Sequence, residues 1–559
     1  MERKKNDPQC NTKFKRFSMI LIMAVVLAVT GLAGMPAAQA QEAPFITVWK
    51  TDNRGASADN QISIRGEGEG YTIEWEEVDH PENHGSVTAS DDHTLTFPHP
   101  GIYRVKISGN FTRFYFPSDE TGFPSHYGKL LDVEQWGDIA WRTMEEAFYA
   151  TTNLQISATD KPDLSNVTNM HRMFSHSSFN GDISHWDVSN VTDMSFMFAR
   201  SSFNGDVSGW DVSNVTKLGG TFWGASSFNG DISGWDVSNV RTLRQTFAFA
   251  SSFNGDVSGW DVGNVRILSQ TFAGASSFNG DISGWDVSNV TNLRETFHYA
   301  SSFDQDLDGW DVANVTNMIM TFAGASSFNG DISGWDVGNV TNMNLTFWAA
   351  SSFNQDLSGW DVGNVMNMSA TFGGASSFDQ DLSGWDMSSA LTTSGMLSGS
   401  GLSVENYDKT LIGWSGQELT PGLTLGADSL RYCHSAEQRQ YIIDNFEWSI
   451  NDAGIDDGCN GVPTSTEDHD KPFEFQLKQN YPNPFNPSTR IRYTLAEPSH
   501  VRLEIFDVTG RRVAFPVDGF QTVGRYDIMF DASELAGGAY LYRLSAGTMS
   551  ASKIMMLIK

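Results

Sequence analysis

Residues 276–300 read SSFNGDISGWDVSNVTNLRETFHYA, and close copies of this stretch follow one another along the middle of the chain. A Ser-Ser-Phe triplet recurs nine times, and a Trp follows each of its phenylalanines by seven residues. The step between copies is 25 residues, except for a first step of 24. A fixed period of this length predicts a solenoid, in which each repeat forms one coil and packs mainly on its neighbours.

Within one coil, the residue pattern predicts a short strand followed by a helical turn or two. Asn279-Gly280 indicates a turn, and Ile282, Trp285 and Val287 are spaced as an extended segment. Apolar residues then recur with the spacing i, i+3, i+7 and i+10, which is typical of an amphipathic helix: Val290, Leu293, Phe297 and Ala300. The sequence therefore predicts an α/β solenoid of leucine-rich-like repeats of about 25 residues.

A single coil cannot be stable alone, because its apolar side chains stabilise it by less than the ordering of its residues costs. Stacking buries both faces of every coil and closes that gap. The Trp of each copy is then expected to lie on the Trp of the next in a buried ladder: Trp210, Trp235, Trp260, Trp285, Trp310, Trp335 and Trp360.

On both sides of the repeats, apolar and polar residues alternate as they do in β-strands. Residues 41–128 contain short apolar-polar runs separated by Gly, Asn, Asp and Pro, which predicts an N-terminal β domain. The repeats are assigned to residues 129–400 and an irregular cap to residues 401–460. A polar linker is expected at residues 461–475, followed by a C-terminal Ig-like β-sandwich at residues 476–559.

The first 40 residues have the pattern of a secretory signal peptide. Six basic residues precede an apolar run, Met19–Ala33, and Ala38-Gln-Ala40 supplies the small residues expected before cleavage between Ala40 and Gln41. An uncleaved membrane anchor is the alternative, but the run is shorter than the ~20 residues that span a bilayer. No transmembrane helix is therefore expected after signal removal. Export to an oxidising compartment would allow the two remaining cysteines, Cys433 and Cys459, to pair.

The charge of the chain excludes two classes of partner. Lys and Arg number 36 against 67 Asp and Glu, a net charge of −31. A surface this acidic repels phosphate backbones, which excludes nucleic-acid binding by general electrostatics, and it offers no polybasic membrane dock.

No motif in the sequence indicates an enzyme or a cofactor site. A hydrolase elbow, HExxH, a P-loop and a Cys/His pair are all absent. Carboxylate pairs such as Asp281 and Asp286 recur in every coil, whereas a catalytic pair needs one unique environment. These aspartates are interpreted as caps of backbone turns, with Ca²⁺ bound between coils as the alternative.

The repeat, FNGDISGWDVSNVTN followed two residues later by ETF or a related triplet, resembles the BspA-like leucine-rich repeat surface proteins of bacteria and mycoplasmas. The resemblance covers about residues 45–460. It implies display on the cell surface and adhesion to host or matrix proteins.

The tail resembles the type A C-terminal sorting domain of Por-type (type IX) secretion substrates. The resemblance rests on four ordered stretches: Asn480–Thr489, Ile505–Val513, Gly538–Leu544 and Lys553–Lys559. Phe530 stands where many members carry Trp, and Lys553 stands alone where a basic cluster is common. The resemblance implies passage across the outer membrane through the type IX machinery, with release or anchoring at the surface.

Most positions of the coil are nearly identical between copies, but the pair before Thr-Phe and the pair after the Phe vary. The second pair includes a set of aromatic residues that suggests a ligand-binding strip: Trp223, Phe249, His298, Tyr299 and Trp348. Packing under neighbouring helical turns is the alternative interpretation. The leading functional hypothesis is a non-enzymatic, secreted or cell-surface repeat protein that binds another macromolecule, and the second is a carbohydrate-binding module.

Overall fold

The computed structural model describes residues 42–116, 128–461, 475–496, 498–521 and 524–559. The chain divides into two compact units, residues 1–456 and 457–559. The predicted signal peptide 1–40, with its cleavage site between Ala40 and Gln41, lies outside the described residues. So do residues 462–474 of the predicted linker.

The described residues of the first unit begin with ten strands, most of which alternate buried and more exposed residues. In β7, for example, Tyr103, Val105 and Ile107 are buried. Six strands form one sheet in the order β10-β9-β1-β7-β4-β5, while β2 pairs with β6 and β3 with β8. This sheet extends past residue 128, because β9 pairs with β1. The strands are β1 Phe45–Lys50, β2 Gln61–Ile64, β3 Gly66–Gly68, β4 Tyr71–Glu77, β5 His84–Ala89, β6 His93–Thr96, β7 Ile102–Ser108, β8 Phe111–Phe114, β9 Leu130–Gln135 and β10 Gln155–Ile156.

The expected helical turn within each coil is wrong. Residues 157–403 contain no helix, and the apolar stripe is instead carried by consecutive turns. Two residues per coil have a left-handed backbone, as Glu295 (φ 57°) and Tyr299 (φ 55°) show, which an α-helix does not allow. Because such turns also return the chain to one side every three or four residues, the four stripe residues are still buried: Val290, Leu293, Phe297 and Ala300.

Backbone hydrogen bonds explain why turns replace the helix. The amides of Glu295, Phe297 and Tyr299 donate to carbonyls of the next coil, each at 2.8 Å. The amides between them donate within the coil, as Thr296 does to the Leu293 carbonyl at 3.1 Å. Successive backbone amides therefore donate alternately to the neighbouring coil and to a carbonyl of their own turn. Single parallel β-bridges, such as Ile267 to Asn292, also link successive coils, and no longer strand forms within residues 157–403.

Aromatic rings fill the interior as columns that run along the stack. The Phe272 and Phe297 ring centroids lie 5.8 Å apart, with an angle of 8° between the planes. Trp285 stacks on Trp310 at 6.4 Å and is 3% exposed. Its indole Nε1 donates to the Val257 carbonyl of the preceding coil at 3.0 Å. Each ring thus contacts two coils, so the packing of one coil depends on the next.

The aspartates of the coil form turns with their own backbone. One carboxylate oxygen of Asp281 accepts hydrogen bonds from the Ser283 amide at 2.9 Å and from its hydroxyl at 2.7 Å. Asp286 accepts from the Ser288 amide at 3.0 Å. These bonds confirm the interpretation of the aspartates as turn caps. The Ser283 hydroxyl and amide bonds lower the pKa of Asp281 below its usual value.

After the last coil, the first unit changes to helices and short parallel strands. Helix α1 spans Val404–Ser415 and helix α2 spans Ala436–Phe446, while β11 (Thr424–Ala427) pairs in parallel with β12 (Ser449–Asp452). The Trp414 indole of α1 donates to the Leu382 carbonyl at 3.1 Å, which repeats the bond pattern of the Trp column. Cys433 and Cys459 form a disulfide. The second unit begins with a 3-10 helix, Asp457–Gly461.

Among its described residues, the second unit contains seven strands in two antiparallel sheets that share one hydrophobic core. One sheet has the order β13-β14-β17 and the other β16-β15-β18-β19. The core includes Ile491, Leu503 and Tyr542, which are fully buried. The strands are β13 Gln476–Leu477, β14 Ser488–Leu495, β15 Ser499–Phe506, β16 Arg512–Gln521, β17 Gly524–Asp531, β18 Gly538–Ala546 and β19 Met549–Leu557.

We expect Trp285→Ala to lower the free energy of unfolding by ~3–5 kcal/mol, because it removes a buried ring and leaves a cavity between two coils. Trp348→Ala, at a partly exposed position, should cost less than ~1 kcal/mol. Chemical denaturation measures both values, and hydrogen exchange should show the first change loosening the middle coils before either end. Equal losses in the two variants would contradict this assignment of buried and surface positions.

The Asp turns should make the repeats sensitive to acid. Because the folded pKa of these carboxylates lies below the unfolded value of ~3.9, their contribution to stability is present above that pH and is lost as the pH falls towards the folded pKa. Replacing Ser233, Ser258 and Ser283 by Ala removes the hydroxyl bonds. The melting temperature should then fall less steeply between about pH 5 and pH 2 than in the unmodified chain. Ser302→Ala serves as the control, and an unchanged slope in the triple variant would contradict the expectation.

Candidate functional site

We call the following residues of each coil its variable face: the two residues before each Thr-Phe and the two after its Phe. Most of them are at least partly exposed, whereas Ala248, Ala273 and Ala323 are buried. Consecutive turns carry both pairs. Their backbone bonds hold neighbouring coils in register, as the Gly220 amide does with the Arg244 carbonyl at 2.9 Å. Equivalent side chains of successive coils therefore lie side by side.

The predicted aromatic strip lies on this face and is open to solvent in part. Phe249 is 52% exposed, Tyr299 48% and Trp348 37%. Trp223 and His298 are half-buried, and burial lowers the pKa of His298. The turns around these side chains are not helical, but the rings do pack in part against the turns of the next coil, as Phe249 does beside Gly274.

Glycines of the next coil make room for two of the rings. A Cβ atom added to Gly274 would come within 2.5 Å of the Phe249 ring, and one added to Gly324 would clash with Tyr299 in the same way. All four residues occupy the left-handed position of their coils, with φ between 55° and 69°. At this position, an aromatic residue and a glycine therefore alternate from one coil to the next. Each ring packs on the backbone of the glycine rather than on another side chain.

A polar ladder runs beside the rings. The Gln245 side-chain amide donates to Gln270 at 2.9 Å, and Gln270 donates to the Glu295 carboxylate at 2.6 Å. Arg294 also donates to Glu295, at 2.8 Å. Although burial acts in the opposite direction, these two hydrogen bonds hold the pKa of Glu295 below its usual value. The carboxylate is thus ionised and fully engaged, which suits a fixed surface feature rather than proton transfer.

Two arginines of the same face, Arg200 and Arg244, were missed by the sequence reasoning. The Arg200 guanidinium lies 4.2 Å from the centroid of the Trp223 ring, a cation–π contact. A signal was available in the sequence, because residues 163–400 contain only seven Lys and Arg, and none of them lies in the conserved Phe-to-Val half of the coil: Arg172, Arg200, Lys217, Arg241, Arg244, Arg266 and Arg294.

The described part of the chain offers no group of three or more His, Cys, Asp or Glu side chains arranged to hold a metal ion. The paired aspartates of each coil are instead occupied by their own turns, as in Asp281 and Asp286. Within the same described ranges, no helix has the length and apolar character needed to cross a membrane.

Comparison with known proteins agrees with both resemblances. Residues 142–259, 230–319 and 307–411 match a family described as "Mycoplasma protein of unknown function, DUF285". Residues 479–558 match the "Secretion system C-terminal sorting domain". No curated protein matches the chain.

Both matched families are of non-enzymatic kinds. The sorting domain directs a protein through the type IX system to the cell surface or the exterior. The two resemblances noted in the sequence are thereby confirmed. The chain carries DUF285 repeats of the kind found in BspA-like surface proteins and ends in a C-terminal sorting domain of the type IX secretion system.

Proposed function

We propose that this chain is a non-enzymatic surface or secreted protein that binds another macromolecule through the variable face of its repeats. In this proposal the stacked coils form a solenoid, the N-terminal sheet and residues 401–460 cap its ends, and residues 476–559 fold as an Ig-like sandwich that serves secretion. Adhesion to a host or matrix protein is the form of binding that the BspA-like resemblance suggests.

The observation that carries the proposal is the exposure of large rings on one regular surface. Phe249, Tyr299 and Trp348 have between 37% and 52% of their surface open to solvent. Aromatic residues are enriched among the side chains that dominate binding energy at protein interfaces. An exposed apolar strip on an otherwise polar protein is a common feature of interaction sites.

Carbohydrate binding is the second candidate, favoured by the exposed part of each ring. Although Phe249 and Tyr299 pack against Gly274 and Gly324 of the next coil, about half of the surface of each remains open to solvent: 52% for Phe249 and 48% for Tyr299. The exposed part of an aromatic ring can stack on the apolar face of a sugar. A protein ligand and a glycan ligand would both contact these rings, and binding assays distinguish the two candidate functions.

We expect the triple variant Phe249→Ala, Tyr299→Ala and Trp348→Ala to lose most of the ligand binding of the mature chain. The measurement is binding to a glycan array and to a panel of matrix proteins. The control is Val508→Ala with Phe520→Ala, which removes exposed apolar side chains from the second unit. The melting temperature should fall only slightly in the triple variant, since all three side chains are partly exposed. Binding of the unmodified chain to no member of either set would contradict the proposal.

Deletion of residues 476–559 should leave the protein in the periplasm. The sorting domain is the part that the type IX machinery recognises, so the repeats alone lack the signal to cross the outer membrane. Cell fractionation and surface labelling measure the distribution, and the intact chain is the control. Normal surface levels of the truncated chain would refute the assigned role of the tail.

A further inference from the structure

The exposed Phe, Tyr and Trp side chains of the variable face recur in every second coil, and we call them the ring row: Phe249, Tyr299 and Trp348. Phe249 and Tyr299 are the second residue after the core phenylalanine of their coils, and Trp348 is the first after its own. The two coils between them carry Ala-Gly instead, at residues 273–274 and 323–324. Exposed rings are therefore separated by one coil without a ring.

Packing explains this two-coil spacing. A Cβ atom added to Gly274 would lie 2.5 Å from Cδ1 of Phe249, and one added to Gly324 would also clash with Cδ1 of Tyr299. A ring packed in this way needs a glycine in the next coil, so two successive coils cannot both carry one. The edge formed by Cδ1 and Cε1 faces the glycine in both cases, which gives the two rings equivalent orientations.

The core phenylalanines of the same coils give the length of one step along the stack. The ring centroids of Phe247 and Phe272 lie 5.6 Å apart, and those of Phe272 and Phe297 lie 5.8 Å apart. The next two steps, through Phe322 to Phe347, measure 5.4 and 5.6 Å. Because the stacked planes differ by at most 8°, these distances describe the translation from one coil to the next. Neighbouring members of the ring row are two such steps apart.

The surface between the first two rings is polar. The hydrogen-bonded ladder from Gln245 through Gln270 to Glu295 crosses the coil that separates Phe249 from Tyr299. In that coil, the residue with the left-handed backbone nearest the rings is a glycine, which adds no apolar side chain. Amide and carboxylate groups therefore line the row between these two rings.

We propose that the ring row binds a neutral, linear, β-linked glycan, with one sugar over each coil and every second sugar stacked on a ring. This inference rests on the proposed function and names the ligand class for its second candidate. Successive sugars of an extended β-linked chain are turned over relative to each other, so the same face returns at every second sugar. One such sugar advances the chain by nearly the length of one coil step. A disaccharide unit thus matches the spacing of the rings, each of which can stack on the apolar face of a sugar.

The same spacing disfavours a peptide ligand. An extended strand returns to the same face every two residues, roughly 6.6–6.8 Å, which is much shorter than two coil steps. An α-helix has a pitch of about 5.4 Å and would place a turn on every coil. Its apolar face would then lie on the Gln270 side chain, which is hydrogen-bonded to Glu295, rather than on a third ring. The net charge of −31 also repels anionic glycans, so a neutral chain is favoured.

The row has a defined length. Trp223 lies only one coil before Phe249, and the Arg200 guanidinium covers one face of its ring at 4.2 Å from the centroid, so Trp223 stands outside the row. After Trp348, the next coil carries Gly-Gly at residues 373–374. The row therefore extends over four coil steps, and a pentasaccharide is the shortest chain that reaches all three rings.

Calorimetry of the mature chain with three neutral β-1,4-linked hexasaccharides tests the proposal: cellohexaose, chitohexaose and xylohexaose. We expect at least one of them to bind, and to bind at least about tenfold more tightly than the disaccharide of its series, which reaches one ring. Maltohexaose is α-linked and curved, so it does not keep the two-sugar repeat and should bind more weakly. Because the ligand is neutral, added salt should leave the affinity nearly unchanged.

Variants of the central ring locate the binding. Tyr299→Ala should weaken binding of the hexasaccharide by about tenfold, whereas Tyr299→Phe keeps the ring and should bind as the unmodified chain does. Tyr441→Ala is the matched control, because Tyr441 is also 48% exposed but lies on α2, outside the ring row. Since both tyrosines are partly exposed, the melting temperature should fall only slightly in these variants.

The inference is overturned if the disaccharide or maltohexaose binds as tightly as the hexasaccharide, if Tyr299→Ala binds as the unmodified chain does, or if Tyr299→Phe loses as much affinity as Tyr299→Ala. A steep fall of affinity with salt would contradict recognition of a neutral chain. Binding of a matrix protein through the rings, without binding of any of the three hexasaccharides, would overturn this inference and leave the proposed function standing. Failure to bind any glycan or matrix protein would remove both.

Discussion

The hydrogen bonds between successive coils are the interaction on which the rest of this structure depends. Every second amide of the turn segment donates to the next coil, as Phe297 does to Thr321 at 2.8 Å, and the amides between them close local turns. This division satisfies the buried backbone without a helix or a long strand. It also requires neighbouring coils to keep the same register, which the nearly constant period of 25 residues provides.

Register then sorts the side chains into columns with separate roles. Inside, Phe and Trp stack at regular intervals, as Trp285 does on Trp310 at 6.4 Å. On one side, aspartates such as Asp281 close the turns of their own coils. On the variable face, the backbone needs only the turn geometry, so the side chains are free to differ. The same bonds that make the interior uniform therefore leave these positions free to vary between coils.

The charged side chains of the repeats follow the same division of the coil. The carboxylates of residues 163–400 lie mostly in the turn columns, whereas the cations lie in the other half of the coil. The Trp414 indole of α1 continues the bond pattern of the Trp column beyond the last coil, at 3.1 Å from the Leu382 carbonyl, so the stack does not end on open rings. The sorting domain has its own hydrophobic core.

The sequence by itself determined the repeat, its period, the buried apolar stripe and the two families, because each depends on local residue identity repeated many times. It did not determine the backbone of the turn segment. The spacing of Val290, Leu293, Phe297 and Ala300 suits a helix and a series of turns equally well, and only the hydrogen bonds to the next coil select the turns. The tertiary structure likewise determines which cations lie next to a carboxylate. Asp193 pairs with Lys217 from the next coil, 24 residues away, while Arg241 lies beside Arg266, and no local pattern distinguishes these two outcomes.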